Sequence, residues 1–245
     1  MSCFHTEQFL KPNHQISLHQ LHITRIENLD KLCRDLRIIY LQDNAITRLE
    51  NLHRLKCLDY INLAMNAIEV VEGLAGCESL RKLDLTLNFI GELSSVKSLV
   101  GNSALEELYL TGNPCTMFPG YRQFVVAALP QLKQLDGIQI ENSERILAYQ
   151  QREEVGEGVA REEEMHRVKR RREREEHNEL RECREIEQDG DAVERRKRFF
   201  EEKSAHCPET KLEMQEVMAE IQEEKEKSQQ EDRKEKKEPR KMFMR

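Results

Sequence analysis

The apolar residues of the first half of the chain return in a fixed register. Leu36-x-x-Ile39-x-Leu41-x-x-Asn44-x-Ile46 recurs as Leu58-x-x-Ile61-x-Leu63-x-x-Asn66-x-Ile68 and as Leu80-x-x-Leu83-x-Leu85-x-x-Asn88-x-Ile90. A fourth copy reads Leu105-x-x-Leu108-x-Leu110-x-x-Asn113, and the asparagines are spaced by 22, 22 and 25 residues. A worn copy precedes them, Ile16-x-Leu18-x-x-Leu21-x-Ile23, with Leu where Asn is expected. One such unit cannot bury its apolar side alone, so the copies must stack into a solenoid with capped ends. This is a leucine-rich repeat. The Leu-x-Leu segment alternates and predicts a short strand whose leucines point inward. The asparagines fall where the chain turns, where their amides can satisfy backbone groups of adjacent coils. Leu49, Leu52 and Leu55, three apart, predict a tight helical turn on the convex side.

After Asn113-Pro114 the period changes. Phe124, Val125, Ala128 and Leu129 form an apolar helical face that predicts a cap over the last coil. Pro130 ends that helix, Leu132 and Leu135 read as a last strand-like return, and Asp136-Gly137 as a turn. The fold class is therefore α/β: a short leucine-rich-repeat solenoid of about five 22-residue repeats with a helical C-terminal cap, then a long charged helical, coiled-coil or disordered tail. The expected divisions are an N-terminal cap segment at 1–15, repeats at 16–113, the cap at 114–146 and the tail at 147–245.

The tail is set apart by charge. The first 150 residues carry about 31 charged side chains and the 95 from Gln151 onward about 54, too few apolar groups there for independent collapse. Opposite charges three or four apart, such as Glu163 with Arg167 and Arg172 with Glu176, favour an exposed helix. Val168, Leu180, Ile186 and Val193 are too sparse for a sustained heptad seam, and Gly156, Gly158 and Gly190 predict breaks. Lys169-Arg170-Arg171-Arg172 and Arg195-Arg196-Lys197-Arg198-Phe199-Phe200 fit import signals or basic contact patches, but ordinary charged helix accounts for them better. Met214, Val217, Met218 and Ile221 make a one-sided stripe after Pro208, fit for docking a partner.

Net charge is −7 with both signs interleaved, which argues against a nucleic-acid binder. Seven scattered cysteines show no CxxC spacing, and Cys77 and Cys115 take places of small buried apolar residues; a reducing compartment is expected. The first fifteen residues hold no apolar run of signal-peptide length, and no stretch approaches a membrane span.

Residues between the inward leucines should face the concave surface: Ile38, Tyr40 and Gln42; Tyr60, Asn62 and Ala64; Lys82, Asp84 and Thr86; Glu107, Tyr109 and Thr111. Three of the five tyrosines of the chain fall there, a residue type favoured at binding hot spots. Strand propensity alone would also place them there. Lys82, Asp84 and Glu107 read either as contact groups or as a solvated ion pair. His5, His14, His19 and His22 lack metal-ligand spacing, and no phosphate loop, nucleophile elbow or Cys/His pair is visible. The pattern is that of a binding protein, not an enzyme, with no cofactor, no small-molecule substrate, no nucleic acid and no membrane among its expected ligands.

The run SLHQLHITRIENLDKLCRDLRIIYLQDN, then LTLNFIGELSSVKSL, then GNPC followed by YRQFVVAALPQLKQLDG and SERI, resembles the tilB-homologue family, also called the leucine-rich testis-specific or seahorse family. The similarity covers roughly residues 14–150. It implies a cytoplasmic factor that helps assemble axonemal dynein arms for motile cilia and flagella, with dynein chains or other assembly factors as partners. In the tail, Pro208-Glu209-Thr210-Lys211-Leu212-Glu213 with Met218 is similar to a segment that precedes a p23-like β-sandwich in the family. The chain stops at Met242-Phe243-Met244-Arg245 without that domain and reads as a fragment, a divergent member or a shortened form. Rival readings are a phosphatase regulatory subunit, which would normally carry more repeats, a leucine-rich partner of a spliceosomal particle, and a stable axonemal component like a dynein light chain.

Overall fold

The computed structural model describes residues 10, 11 and 14–186, with side chains from 14 to 178. Eight short strands form one sheet in chain order. They are β1 (Leu10–Lys11), β2 (Gln15–Ser17), β3 (Ile38–Tyr40), β4 (Tyr60–Asn62), β5 (Lys82–Asp84), β6 (Glu107–Tyr109), β7 (Gln134–Leu135) and β8 (Ile138–Gln139). From β2 to β7 all pairs are parallel, while β1 and β8 close the two ends antiparallel. Each central strand has one buried residue between two half-buried ones. Ile16, Ile39, Ile61, Leu83, Leu108 and Leu135 thus form a single inward row in register. The worn first copy is therefore a true coil.

The asparagines stitch the coils together. Asn66 Nδ2 donates to Leu63 O in its own coil and to Leu41 O in the coil before, both at 2.9 Å, while its Oδ1 accepts Ile46 N–H. Asn88 and Asn113 repeat this set one coil further on each time. Asn44 reaches back to the coil that has no asparagine of its own, accepting the N–H groups of Leu21 and Ile23. Buried main-chain groups that water cannot reach are satisfied in this way.

The convex side departs from the expected helical turns. Leu49, Leu52 and Leu55 are buried as the spacing requires, but that stretch closes by hydrogen-bonded turns such as Leu55 N–H to Leu52 O. A long 3-10 helix, Leu93–Gly101, forms only in the coil whose asparagines are 25 residues apart. The extra residues give that coil room to wind, and its apolar Leu93, Val96 and Leu99 at spacing three match the 3-10 period.

The cap is α2 (Tyr121–Ala128), following a short helix α1 (Leu29–Leu32) in the first coils. Phe124, Val125 and Leu129 are buried as expected, but Val126 is buried where Ala128 is only partly so. The reason is a second layer: α3 (Asn142–Gln150) packs against α2, so the cap helix is covered on two sides. Cys77 and Cys115 are fully buried, and burial pushes both thiols up to about 12, as expected of inert core cysteines.

The last element is α4 (Arg152–Ile186), 35 residues without a break. Gly156 and Gly158 sit inside it, correcting the breaks expected there. Each costs roughly 1 kcal/mol of helix propensity, a loss that packing onto the solenoid offsets. The apolar core takes in Ala148 and Val159. The basic run 195–200, the stripe 214–221, the segment 208–213, Gly190, Cys3, Cys207 and His5 lie outside the described residues.

Candidate functional site

Strand register sorts the exposed positions of the sheet into two rows. One runs Gln15, Ile38, Tyr60, Lys82, Glu107, Gln134, and the other Ser17, Tyr40, Asn62, Asp84, Tyr109. Ile38, Tyr40, Gln42, Tyr60, Asn62, Lys82, Asp84, Glu107 and Tyr109 are all half-buried. Five of them touch one another. Tyr40 and Tyr60 meet edge to face with ring centroids 5.7 Å apart. The Lys82 ammonium lies 5.5 Å from the Tyr60 centroid and 4.9 Å from that of Tyr109. It also pairs with Glu107 at 3.0 Å, and Tyr109 OH donates to the same carboxylate at 3.2 Å.

The pairing of Lys82 is therefore with Glu107, one strand over, and not with Asp84, two residues along. Side chains alternate so that i and i+2 share a face but stand about 7 Å apart, whereas residues directly opposite on paired strands stand about 5 Å apart. Asp84 instead accepts the Thr86 N–H at 3.0 Å. The hydrogen bond to Glu107 holds the Lys82 pKa up, and burial followed by the Asp84 charge raises that of Tyr60. The face thus presents phenol rings held by their neighbours, one ion-paired ammonium and the Asp84 carboxylate. A wall of this kind offers contact area and hydrogen-bonding groups.

A further column lies at the rim. Backbone N–H groups of Gln20, Asp43, Met65 and Leu87 donate to Gln42, Ala64, Thr86 and Thr111 carbonyls, carrying the coil-to-coil ladder past the strands. Every residue in this column has a positive φ, including Gly112 in the next coil at 80°. Met65 (φ 60°, 46% exposed) and Leu87 (φ 54°, 53% exposed) hold bulky apolar side chains there. The left-handed conformation costs a non-glycine residue about 1–2 kcal/mol. Sequence reasoning passed over these two. The signal was present: they precede the repeat asparagine, where the flanking copies have Asp43 and Gly112.

The loop edge beyond the asparagines is closed by α4, attached mostly through polar groups. Glu163 is 93% buried and accepts from both Ser94 N–H and Ser94 Oγ, holding the first turn of the 3-10 helix. Glu163 therefore does not pair with Arg167, as expected from spacing; Arg167 pairs with Glu164 and Glu92 instead, and Arg172 with Glu176 as expected. The His166 ring covers Gly91 so closely that a Cβ at Gly91 would stand 2.1 Å from it. Arg170 and Arg174 both reach Glu69. Burial, then the neighbouring Arg170, lowers the His166 pKa and keeps the imidazole neutral. Among the described residues no three His, Cys, Asp or Glu side chains gather as a metal set, and no helix is long and apolar enough to cross a membrane.

Stacked parallel coils, an asparagine ladder and a helical cap define a capped leucine-rich-repeat protein, and a "Leucine-rich repeat" family model matches residues 5–163. The chain is 51% identical over 162 residues to dynein axonemal assembly factor 11 of Mus musculus, covering 66% of this chain and 34% of the mouse protein. It is 49% identical over 220 residues to protein tilB of Drosophila melanogaster, covering 86% of this chain and 54% of the fly protein. With these relatives, it belongs to the dynein axonemal assembly factor 11/tilB family of leucine-rich-repeat proteins. The chain spans about a third to a half of the length of these relatives. Among solved structures, a chain of the Drosophila melanogaster SNF/U2A' complex is similar with a TM-score of 0.55 and 33% identity, over 58% of this chain and 86% of that one.

Proposed function

We propose that this chain is a non-enzymatic protein-binding scaffold for the assembly of axonemal dynein arms, working in the cytoplasm, or at the cilium or flagellum, of motile ciliated cells. Its partners are axonemal dynein chains or other dynein assembly factors, and the concave face holds one of them. The relatives' name as dynein assembly factors supports the process. The observation that carries the site is the cluster of Tyr40, Tyr60, Lys82, Glu107 and Tyr109, preorganised by its own contacts and left open to solvent. Rigid tyrosines give large contact area at low entropy cost.

Affinity purification of the chain from ciliated-cell cytosol, beside a Tyr40→Ala/Tyr60→Ala/Tyr109→Ala version, tests both parts. Dynein chains or their assembly factors should come down with the first and be lost with the second. Equal recovery by both would move the contact surface to α4 or the convex side. Recovery of neither would remove the dynein role. A second reading is a leucine-rich partner within a spliceosomal particle, and the likeness to a chain of the SNF/U2A' complex shows that this fold also serves in a complex with another protein. Fractionation of the same cells separates the two, since that reading requires a nuclear pool.

A further inference from the structure

Asn62 and Asp84 hold the same place in consecutive coils, directly opposite each other on β4 and β5. They do the same local work. Asn62 Oδ1 accepts the Ala64 N–H and Asp84 Oδ1 accepts the Thr86 N–H, each at 3.0 Å. A neutral amide therefore suffices for that bond, and the negative charge at residue 84 adds nothing to it. Nor is the charge taken up by a neighbour. Lys82, two residues back, is held by Glu107, and Arg81 pairs with Asp59. No cation among the described residues lies within ion-pair distance of Asp84.

The surroundings suit a cation. Tyr109 stands directly across from Asp84 on β6, and Tyr60 lies on the diagonal on β4. Both rings already take the Lys82 ammonium, at 4.9 Å and 5.5 Å from their centroids. Burial, and after it the Asp84 charge, raises the Tyr60 pKa, which places the carboxylate within electrostatic reach of that ring. In the free chain solvent reaches the half-buried carboxylate. A partner laid over the sheet removes that water, and the covered charge is strongly unfavourable unless the partner brings a cation to it. A carboxylate set there would be rejected. Arginine fits better than lysine. Its fork reaches both carboxylate oxygens while its plane stacks on a phenol ring, and it gives up its water more readily.

We propose that Asp84, framed by Tyr60 and Tyr109, seats an arginine side chain of a protein partner, the polar anchor of the segment that the concave face holds. This rests on the concave face being the partner site, and it names the group that site recognises.

The test uses the full chain, isotope-labelled at its five tyrosines, and three blocked tripeptides, acetyl-Gly-X-Gly-amide, with X arginine, lysine or citrulline, the neutral counterpart of arginine. In NMR titrations the arginine peptide should move the ring signals of Tyr60 and Tyr109 and leave that of Tyr149, on α3, in place. Its half-saturation should lie roughly five-fold below that of the lysine peptide. The citrulline peptide should move none of the signals. Asp84→Asn keeps the acceptor for Thr86 N–H, so its melting midpoint should not change, yet it should weaken the arginine peptide roughly ten-fold. Glu72→Gln, the same charge change outside the strands, should have no effect. Equal shifts with citrulline, tighter binding of the lysine peptide, or an undiminished arginine effect in Asp84→Asn would overturn the proposal. Capture from ciliated-cell cytosol separates it from the reading it rests on. If the tyrosine triple variant loses dynein-related proteins and Asp84→Asn keeps them all, the face stands and the arginine anchor falls. If no dynein-related protein is captured while the arginine preference holds, the client is wrong and the seat stands.

Discussion

The two long sides of this solenoid are finished in opposite ways. On the concave sheet, Tyr40, Tyr60, Lys82, Glu107 and Tyr109 satisfy one another and leave their outer surfaces bare. On the loop edge, α4 lies over Glu69, Gly91, Glu92 and Ser94 and covers them with Arg170, His166, Arg167 and Glu163. Both sides are polar and both are partly desolvated. The difference is that the loop edge contains orphan groups, such as the Ser94 N–H at the start of a 3-10 helix, whereas the sheet has its backbone fully paired by neighbouring coils. An edge with unmet hydrogen bonds acquires a cover from its own chain. A sheet without them can remain open for another molecule.

The largest expected effect tests what the two sides share. Asn88→Ala removes an acceptor for Ile68 N–H and a donor to Leu63 O and Leu85 O, which would destabilise both sides at once by roughly 3 kcal/mol. Urea unfolding followed by circular dichroism checks this, and a loss under 1 kcal/mol would mean water replaces the amide.

Gly91→Ala should act on one side only. The new methyl occupies the place of the His166 ring, so α4 lifts locally, at a cost of about 1–3 kcal/mol. Hydrogen exchange should quicken across residues 155–170 and stay unchanged in β3 to β6; faster exchange in the strands would show that the cover supports the sheet as well. Glu163→Ala, which leaves Ser94 N–H without its acceptor, should give the same pattern at about 1–2 kcal/mol.

A double-mutant cycle of Tyr40→Ala and Tyr60→Ala sharpens the contrast from the open side. The edge-to-face pair should couple by only about 0.5–1.5 kcal/mol, with α4 exchange untouched. The smallest effect is on pH. Folding lowers the pKa of His166, so the neutral ring contributes its full stability above the ordinary value of 6.5, and the contribution falls as pH drops below it. Exchange protection of α4 should decline in that range, and His166→Gln should abolish the decline.

The coils were legible because each carries its own evidence. Ile61 and Leu83 could be placed inward from local alternation alone, and four copies in register made the stacking certain. Even the worn copy at Ile16 was readable. The concave residues followed by subtraction, and eight of the nine lie in strands where alternation puts them, with Gln42 just past the end of β3. Which of them touch was not readable: Lys82 finds Glu107 across 25 residues because the coils stack, and nothing nearby in the chain says so. The tail was the least legible part. Glu163 in a run of three glutamates looks like solvated helix, and Gly156 and Gly158 look like breaks. Only the presence of Ser94 gives Glu163 a different role, and only the burial of Val159 in the core shows the helix running on through the two glycines.

The sequence by itself determined the repeat, its register, the asparagine ladder and the side of each strand that faces out, because these depend on spacings within about ten residues and repeat at every coil. The tertiary structure alone decided that the charged helix covers the loop edge, that Glu163 is buried, and that Met65 and Leu87 fall at equivalent places in adjacent coils. Those outcomes depend on contacts between residues 22 to 105 positions apart, where a single pairing competes with many others and carries no local signature.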